Sequence, residues 1–404
     1  MPSPRISLAN GTSRGLVLDL IRSRGPISRV ELAEATGMTQ ATMSTVVRQL
    51  IGDELVLETG RGESTGGRNP VLLDVNPTAR FAIGLQVESE FNTYVVVNLV
   101  GAIVGRMRTT GVGSADPATM ITIVAREVDV MLERLGIDKA RTLGIGIVAP
   151  GPLDLERGVI FGPPHMAAWK NVPIRSMLSQ LVELPILLDN DATAAAIGDF
   201  WGGDLGSSIS HATIYMGAGI GTGILIDGTV FRGASSNTGE LGELIVPGPD
   251  GKSVTLESAA DPRAVIADAR SRPNAAEHLG LVGQDEMEDF KSIARAAVHG
   301  DDLAIELIGI SAGHIATAVV AMANLFDLDS VSLAGPAFSI AGPFYVRAII
   351  DRLQRDFFAR EQHGIRVQLS THITDAAAVG GAALILQTVL APRTMGLAGG
   401  PALR

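Results

Sequence analysis

SRGLVLDLIRSRGPISRVELAEATGMTQATMSTVVRQLI, residues 13–51, reads as three helices with a tight turn between the second and the third. Leu16, Leu20 and Ile21 recur at helical spacing, and Gly25-Pro26 stops that first helix. Ser28 followed by Glu31 is a capping box that opens the second helix, whose Leu32 and Ala33 face inward before Gly37 supplies the turn. Thr39 caps the third helix, with Met43, Val46, Val47 and Leu50 on its inner face. The outer face is then Gln40, Ala41, Thr42, Ser44, Thr45 and Arg48: small polar groups that fit a major groove, and one cation for phosphate or guanine. Leu55-Val56-Leu57, the loop GRGESTGGRNP (60–70) and Val71-Leu72-Leu73 predict a strand, a loop and a strand. Such a β-wing would bring Arg61 and Arg68 to the DNA backbone or a minor groove. Residues 1–78 therefore predict a winged helix-turn-helix, with Gln40 and Ser44 reading bases and Arg48 and the wing arginines anchoring.

Charge separates this head from the rest. Residues 1–80 carry nine Lys+Arg and eight Asp+Glu, whereas the remaining chain carries 23 basic and 35 acidic residues. An acidic body repels DNA, so attraction must come from the head. The head's net charge of +1 is small, which predicts a homodimer or homotetramer on a pseudo-palindromic double-stranded operator. The 404 residues are 46% hydrophobic and only 19% charged, the composition of a packed globular chain. Cysteine is absent, which removes disulfides and thiolate metal sites, and no metal site or cofactor is expected. MPSPRISLANGTSRG lacks the apolar core of a signal peptide, so a cytoplasmic location is expected. The apolar run Leu303–Phe326 contains Glu306 and His314 and is read as a buried helix, not a membrane span.

From Arg80 onward strands and helices alternate. FAIGLQV (81–87), TYVVVNLV (93–100) and AIVGRMRTT (102–110) predict three strands, followed by a helix near 117–135 and the strand TLGIGIVAP (142–150). LPILLDN (184–190) leads into the helix ATAAAIGDFWGG, HATIYMGAGIGTGILIDGTVF (211–231) is a Gly-rich hairpin, and DAAAVGGAALILQTVL closes the chain as a helix. Strand triplets followed by helices, twice over, predict two α/β lobes with a cleft between them.

Four blocks carry a resemblance: LGIGIVAPGPLD (143–154), PILLDNDATAAAIGDFWGG (185–203), IYMGAGIGTGILIDGTVFRGASSNTGELGE (214–243) and SVSLAGP (330–336). Their order and spacing resemble the ROK family of repressors, open reading frames and sugar kinases. The resemblance implies an actin/hexokinase-like α/β body, with residues 79–190 plus 376–394 as a smaller lobe, 191–375 as a larger lobe and 395–404 as a tail. Family members with an added winged head are mostly sugar-responsive repressors, and those without it are mostly kinases.

Departures from the family pattern bear on which of these the chain resembles. ROK kinases carry an Asp-x-Gly-x-Thr motif on the first body strand for phosphate and magnesium. The corresponding segment here is IGLQVESE (83–90), where Gln86 replaces the Asp, and Glu88, Ser89 and Glu90 replace the rest. Carboxylates beside a triphosphate repel it at a cost of order 1 kcal/mol each. The hairpin keeps Gly217, Gly219, Gly221 and Gly223, but Ala218 stands for the family's Thr and Gly335-Pro336 for its Gly-Gly.

On the sugar side, Asn190-Asp191 matches the family's Asn-Asp pair, whose Asp accepts from the reacting hydroxyl. Glu240 and Glu257 match two further sugar-contacting acids, and His165 with Trp169 lies on a segment resembling the stretch at the cleft mouth. The family's zinc-bound His becomes Glu243, so four carboxylates would share a pocket unless a cation, an Arg or a positively charged ligand intervenes. An amino sugar or a cation-assisted polyol would meet that requirement. The resemblance thus implies a regulator, most simply a repressor, controlled by a sugar or sugar derivative held by Asn190, Asp191, Glu240, Glu243, Glu257 and His165, without kinase activity. Two alternatives stand: an ATP-dependent sugar kinase with a fused DNA-binding domain, and a ligand-independent DNA-binding protein with a vestigial cleft.

Overall fold

The computed structural model describes residues 11–61, 69–163, 166–202, 205, 208–248, 252–283 and 285–390. The N-terminal part consists of α1 (Gly11–Arg24), β1 (Ile27–Ser28), α2 (Arg29–Thr36), α3 (Gln40–Gly52), β2 (Val56–Arg61) and β3 (Val71–Val75). Local chemistry sets α2 and α3. Glu31 N–H donates to Ser28 Oγ at 3.3 Å while Ser28 N–H donates to Glu31 Oε2 at 2.8 Å, a reciprocal box that holds the Glu31 carboxyl below its ordinary value. Gly37, at φ 69°, ends α2 in the left-handed conformation. Met43, Val46, Val47 and Leu50 of α3 are buried, the face expected from spacing.

Helix α1 corrects one expectation. Its buried stripe is Val17, Leu18 and Ile21, and Leu16 is 45% exposed, because α1 packs at once on α3 and on β3. Strand β1 was not expected: Ile27 and Ser28 pair antiparallel with Leu73 and Leu72, giving a three-stranded β1-β3-β2 sheet. Strands β2 and β3 run beyond the predicted segments, to Arg61 and Val75. The tip of the wing, with Arg68, lies outside the described residues, as does the tail from residue 391.

The next segment carries β4 (Phe81–Gln86), β5 (Phe91–Asn98), β6 (Ile103–Thr110), α4 (Pro117–Arg134), β7 (Thr142–Ala149), β8 (Leu153–Asp154), β9 (Val159–Ile160), α5 (Ile174–Ser179) and β10 (Ile186–Asn190). Its sheet has the order β10-β7-β4-β5-β6. β4 is antiparallel to β5 and parallel to β7. FAIGLQ is buried on both faces, the environment that an unbroken apolar run demands, whereas edge strand β6 alternates half-buried and exposed.

The remainder is built from α6 (Asp191–Trp201), β11 (Ser210–Met216), β12 (Ile220–Ile226), β13 (Thr229–Val230), β14 (Ile245–Pro247), β15 (Ser253–Thr255), α7 (Leu256–Ala260), α8 (Pro262–Ser271), α9 (Ala275–His278), α10 (Glu286–Val298), α11 (Asp302–Phe326), β16 (Ser330–Ala334), α12 (Phe338–Asp356), β17 (Arg366–Leu369) and α13 (Ala376–Leu390). Its sheet, β13-β12-β11-β16-β17, repeats the plan of the first: an antiparallel triplet extended by two more strands. Helix α11 is long and apolar enough to cross a membrane by length and composition, but its Ala304, Leu307, Ile308, Ile315 and Val319 are buried in the core against β11, β16 and α12.

Two compact units divide the chain: residues 1–189, 201–203 and 381–404 form one, and Asn190–Phe200 with Asp204–Gly380 the other. The head thus belongs to the same unit as the first body sheet, tied by the Leu99 N–H donating to the Pro77 carbonyl at 3.3 Å and by Arg141 donating to the Thr78 carbonyl.

Candidate functional site

Helix α3 presents the DNA-facing candidates. Thr39 Oγ1 accepts from the Thr42 N–H at 3.2 Å and sits 2.9 Å from Thr42 Oγ1, so these hydroxyls first serve the cap. Thr45 Oγ1 donates to the Ala41 carbonyl at 3.1 Å. Gln40, Thr42, Thr45 and Arg48 are exposed and Ser44 is half-buried. Among the described residues no ion pair holds Arg48, which leaves its guanidinium for a phosphate or a base edge. Arg61 ends β2 opposite Val71.

The acids meet within the second unit. Asn190 Oδ1 accepts from the Thr193 N–H at 3.1 Å, so Asn190 caps α6, and Asp191 is the helix's first residue with its Oδ1 accepting the Ala192 N–H at 2.8 Å. Burial raises the Asp191 pKa to about 6, against the opposing pull of those hydrogen bonds. Glu240 keeps solvent-facing surface, yet crowding by protein atoms and then the charges of Asp191, Glu243 and Glu257 raise its pKa. Glu240 therefore feels the charges of the other three acids.

Arg263 is the cation that such a cluster requires. Its Nη2 lies 3.1 Å from Glu257 Oε1 and 2.6 Å from Asp261 Oδ2, while Glu257 Oε2 accepts the Ile220 N–H at 3.1 Å. Buried Asp261 in turn caps α8 through the Ala264 N–H at 2.8 Å. Glu243 is exposed, so the need for a cation in the ligand is smaller than four converging acids would imply. The arrangement can accept hydrogen bonds from a polyhydroxyl ligand at Asp191 and Glu240.

Small residues let these parts approach. A Cβ on Gly223 of β12 would lie 2.4 Å from the Ala192 carbonyl oxygen, and one on Gly380 of α13 would lie 1.7 Å from that of Ala194. On the first strand of the body, buried Gln86 donates from Nε2 to Glu88 Oε1 at 2.7 Å, so the residues at the family's phosphate motif bond to each other. Trp169 corrects an expectation: it is fully buried in the core beside α4, not at an opening. His165 lies outside the described residues, and among the described residues no group of three or more His, Asp or Glu is arranged to hold a metal.

Comparison with known proteins places this architecture. The ROK family model matches residues 93–388, and the MarR family model matches residues 13–59. The chain is similar to the xylose repressor of Caldicellulosiruptor bescii, 26% identical over 382 residues that cover 93% of this chain and 95% of the relative. A solved ROK family transcriptional regulator, homologous to the Escherichia coli Mlc protein, superposes at TM-score 0.76 with 24% identity, covering 95% of this chain and 98% of that one. A ROK family glucokinase from Streptomyces griseus in complex with glucose and AMPPNP superposes at TM-score 0.64 with 25% identity, covering 98% of its own chain but 75% of this one. A winged helix-turn-helix joined to an actin/hexokinase-like body defines a DNA-binding transcriptional regulator. The chain belongs to the ROK family.

Two features of the structure have little or no local signal in the sequence. Arg263 follows the matched Glu257 by six residues, and its only local signal is the Asp-Pro-Arg that opens α8. The contact between Arg22 and Trp201 joins residues 179 apart, and no local pattern announces it.

Proposed function

We propose that the protein is a cytoplasmic repressor that binds a pseudo-palindromic operator as a homodimer or homotetramer and is released by a neutral sugar or sugar derivative. Asn190, Asp191, Glu240 and Glu257 would hold the sugar, with Glu243 at the rim. Gln40, Thr42, Ser44 and Thr45 would read the major groove, Thr39 would position them, and Arg48, Arg61 and Arg68 would anchor on phosphates. The name of the xylose-repressor relative supports a sugar effector.

The observation that carries this reading is Asp191. Asn190 already caps the helix, so Asp191 is not needed for that task, yet the chain keeps an acid there whose ionisation burial opposes. Residues that break a local rule at a stability cost mark functional sites. The protein would bind sugar without phosphorylating it, because the Gln86–Glu88 pair and Glu90 stand where a kinase of the family places its phosphate motif.

Fluorescence anisotropy on a duplex selected by the protein from a random pool, titrated with D-xylose, D-glucose and N-acetyl-D-glucosamine, tests the reading. At least one sugar should weaken DNA binding about tenfold or more. Unchanged affinity across the panel would contradict it. Transfer of phosphate from Mg-ATP to any of these sugars, above the level of an Asp191→Asn control, would contradict the non-enzymatic part.

A further inference from the structure

Helix α6 begins at Asp191 and ends at Trp201, and the boundary between the two compact units falls between Phe200 and Trp201. We propose that α6 is the coupling element of the protein, and that the Arg22–Trp201 joint is where ligand occupancy at Asp191 reaches the DNA-binding head. The inference rests on the reading of Asp191 as a sugar acceptor.

The far end of the helix is a built joint. Arg22, near the C-terminus of α1, donates from Nη1 to the Trp201 carbonyl, one of the carbonyls that a helix end leaves without an intrahelical partner. Its guanidinium lies 4.1 Å from the centroid of the buried Trp201 ring, and a cation at this end of a helix is favoured by the macrodipole. Asp19 Oδ1 fixes Arg22 Nη2 at 2.8 Å, with both side chains about nine-tenths buried. Gly101, at φ 88°, backs the indole: a Cβ there would stand 3.0 Å from Trp201 Cδ1. The head therefore caps the C-terminus of the same helix whose first residue is the candidate ligand acid.

Between its ends α6 is held without slack. Ala192 and Ala194 abut Gly223 and Gly380 at backbone contact. Asp199, buried half a turn before Trp201, accepts from Thr213 Oγ1 at 2.9 Å and from Ser370 Oγ at 2.6 Å. Thr213 Oγ1 is 2.8 Å from His211 Nε2, whose Nδ1 is 2.7 Å from Ser330 Oγ. A stiff helix pinned in this way moves as a unit, so a shift at Asp191 is delivered to Trp201 instead of being absorbed locally. From Trp201 it passes to α1, which packs on recognition helix α3.

The test uses the full chain with two variants. Asp19→Asn combined with Arg22→Gln removes the joint without leaving a buried carboxylate alone, and Trp201→Phe keeps a ring while weakening the cation contact. Calorimetry with D-xylose, D-glucose and N-acetyl-D-glucosamine gives sugar affinity, and anisotropy on the selected duplex gives DNA affinity with and without saturating sugar. The wild type should lose about tenfold or more in DNA affinity with sugar, the double variant less than about twofold, and Trp201→Phe an intermediate amount. Sugar Kd should stay within about twofold throughout. Equal sugar responses in wild type and variants would overturn the proposal, as would loss of sugar binding in the variants. A wild type that binds sugar but does not release DNA would overturn the coupling alone, whereas one that binds no sugar would overturn the ligand reading beneath it and the coupling with it.

Discussion

The turn after β4 and the start of α6 are both acidic, and they differ in how their carboxylates are held. In the first, Glu88 accepts a 2.7 Å hydrogen bond from buried Gln86. In the second, Asp191 sits where burial drives its pKa to about 6 and raises that of Glu240 beside it. In the first arrangement the two side chains bond to each other. The second keeps a carboxylate in surroundings that oppose its charge even though it accepts the Ala192 N–H, and a ligand hydroxyl donating to it would offset that burial further. The comparison teaches that two acidic clusters in one body can be held in different ways because they stand on different elements, Gln86 at the end of β4 and Asp191 at the start of α6.

The largest expected effect breaks the comparison at Asp191. Asp191→Asn should weaken binding of the responsive sugar about 10–100-fold by calorimetry, the worth of a hydrogen bond to a charged group. The same variant should be more stable. A carboxyl whose pKa rises from 3.8 to about 6 on folding is harder to ionise in the folded state, so its penalty is absent below about pH 4, grows between pH 4 and 6 and is complete above. Urea unfolding at pH 8 should show a gain of about 1–3 kcal/mol for Asp191→Asn that disappears at pH 4. A loss of stability at pH 8 would mean that Asp191, and not Asn190, is the structural cap.

A third expectation follows from the same shift. If the ionised form accepts the sugar hydroxyl, wild-type affinity should be about tenfold weaker at pH 5 than at pH 7.5, and flat in Asp191→Asn. The smallest effect sharpens the other side: Glu88→Gln should leave sugar affinity within about twofold, since Glu88 serves Gln86 and not the ligand. A larger change would join the two regions that the account separates.

The sequence disclosed what depends on near neighbours. The Ser28–Glu31 box, the Thr39 cap and the Gly37 turn each lie within four residues, and all are present as spacing predicted. Strands β4, β5, β7, β10, β11 and β12 are legible as apolar runs, whereas β17, the four-residue RVQL, carries no such signal and is not among the expected strands. On α1 the buried stripe differs from the expected one at Leu16, because packing against α3 and β3 together selects Val17, Leu18 and Ile21, and periodicity alone cannot choose among adjacent stripes. Two-residue β1 has no period to detect. In the site, the resemblance supplied the acids but not Arg263, whose pairing with Glu257 depends on how α7 meets α8. The segment of Trp169 resembles one at an opening, whereas its indole is fully buried.

The central claim, that sugar recognition persists where nucleotide recognition has been lost, is tested most directly by one calorimetric experiment on the full chain. The protein is titrated with D-xylose, D-glucose and N-acetyl-D-glucosamine, and then with Mg-AMPPNP in the presence and absence of each sugar. The account predicts a saturable heat for at least one sugar and none for the nucleotide under any condition. Saturable nucleotide binding, or no heat from any sugar, would contradict it.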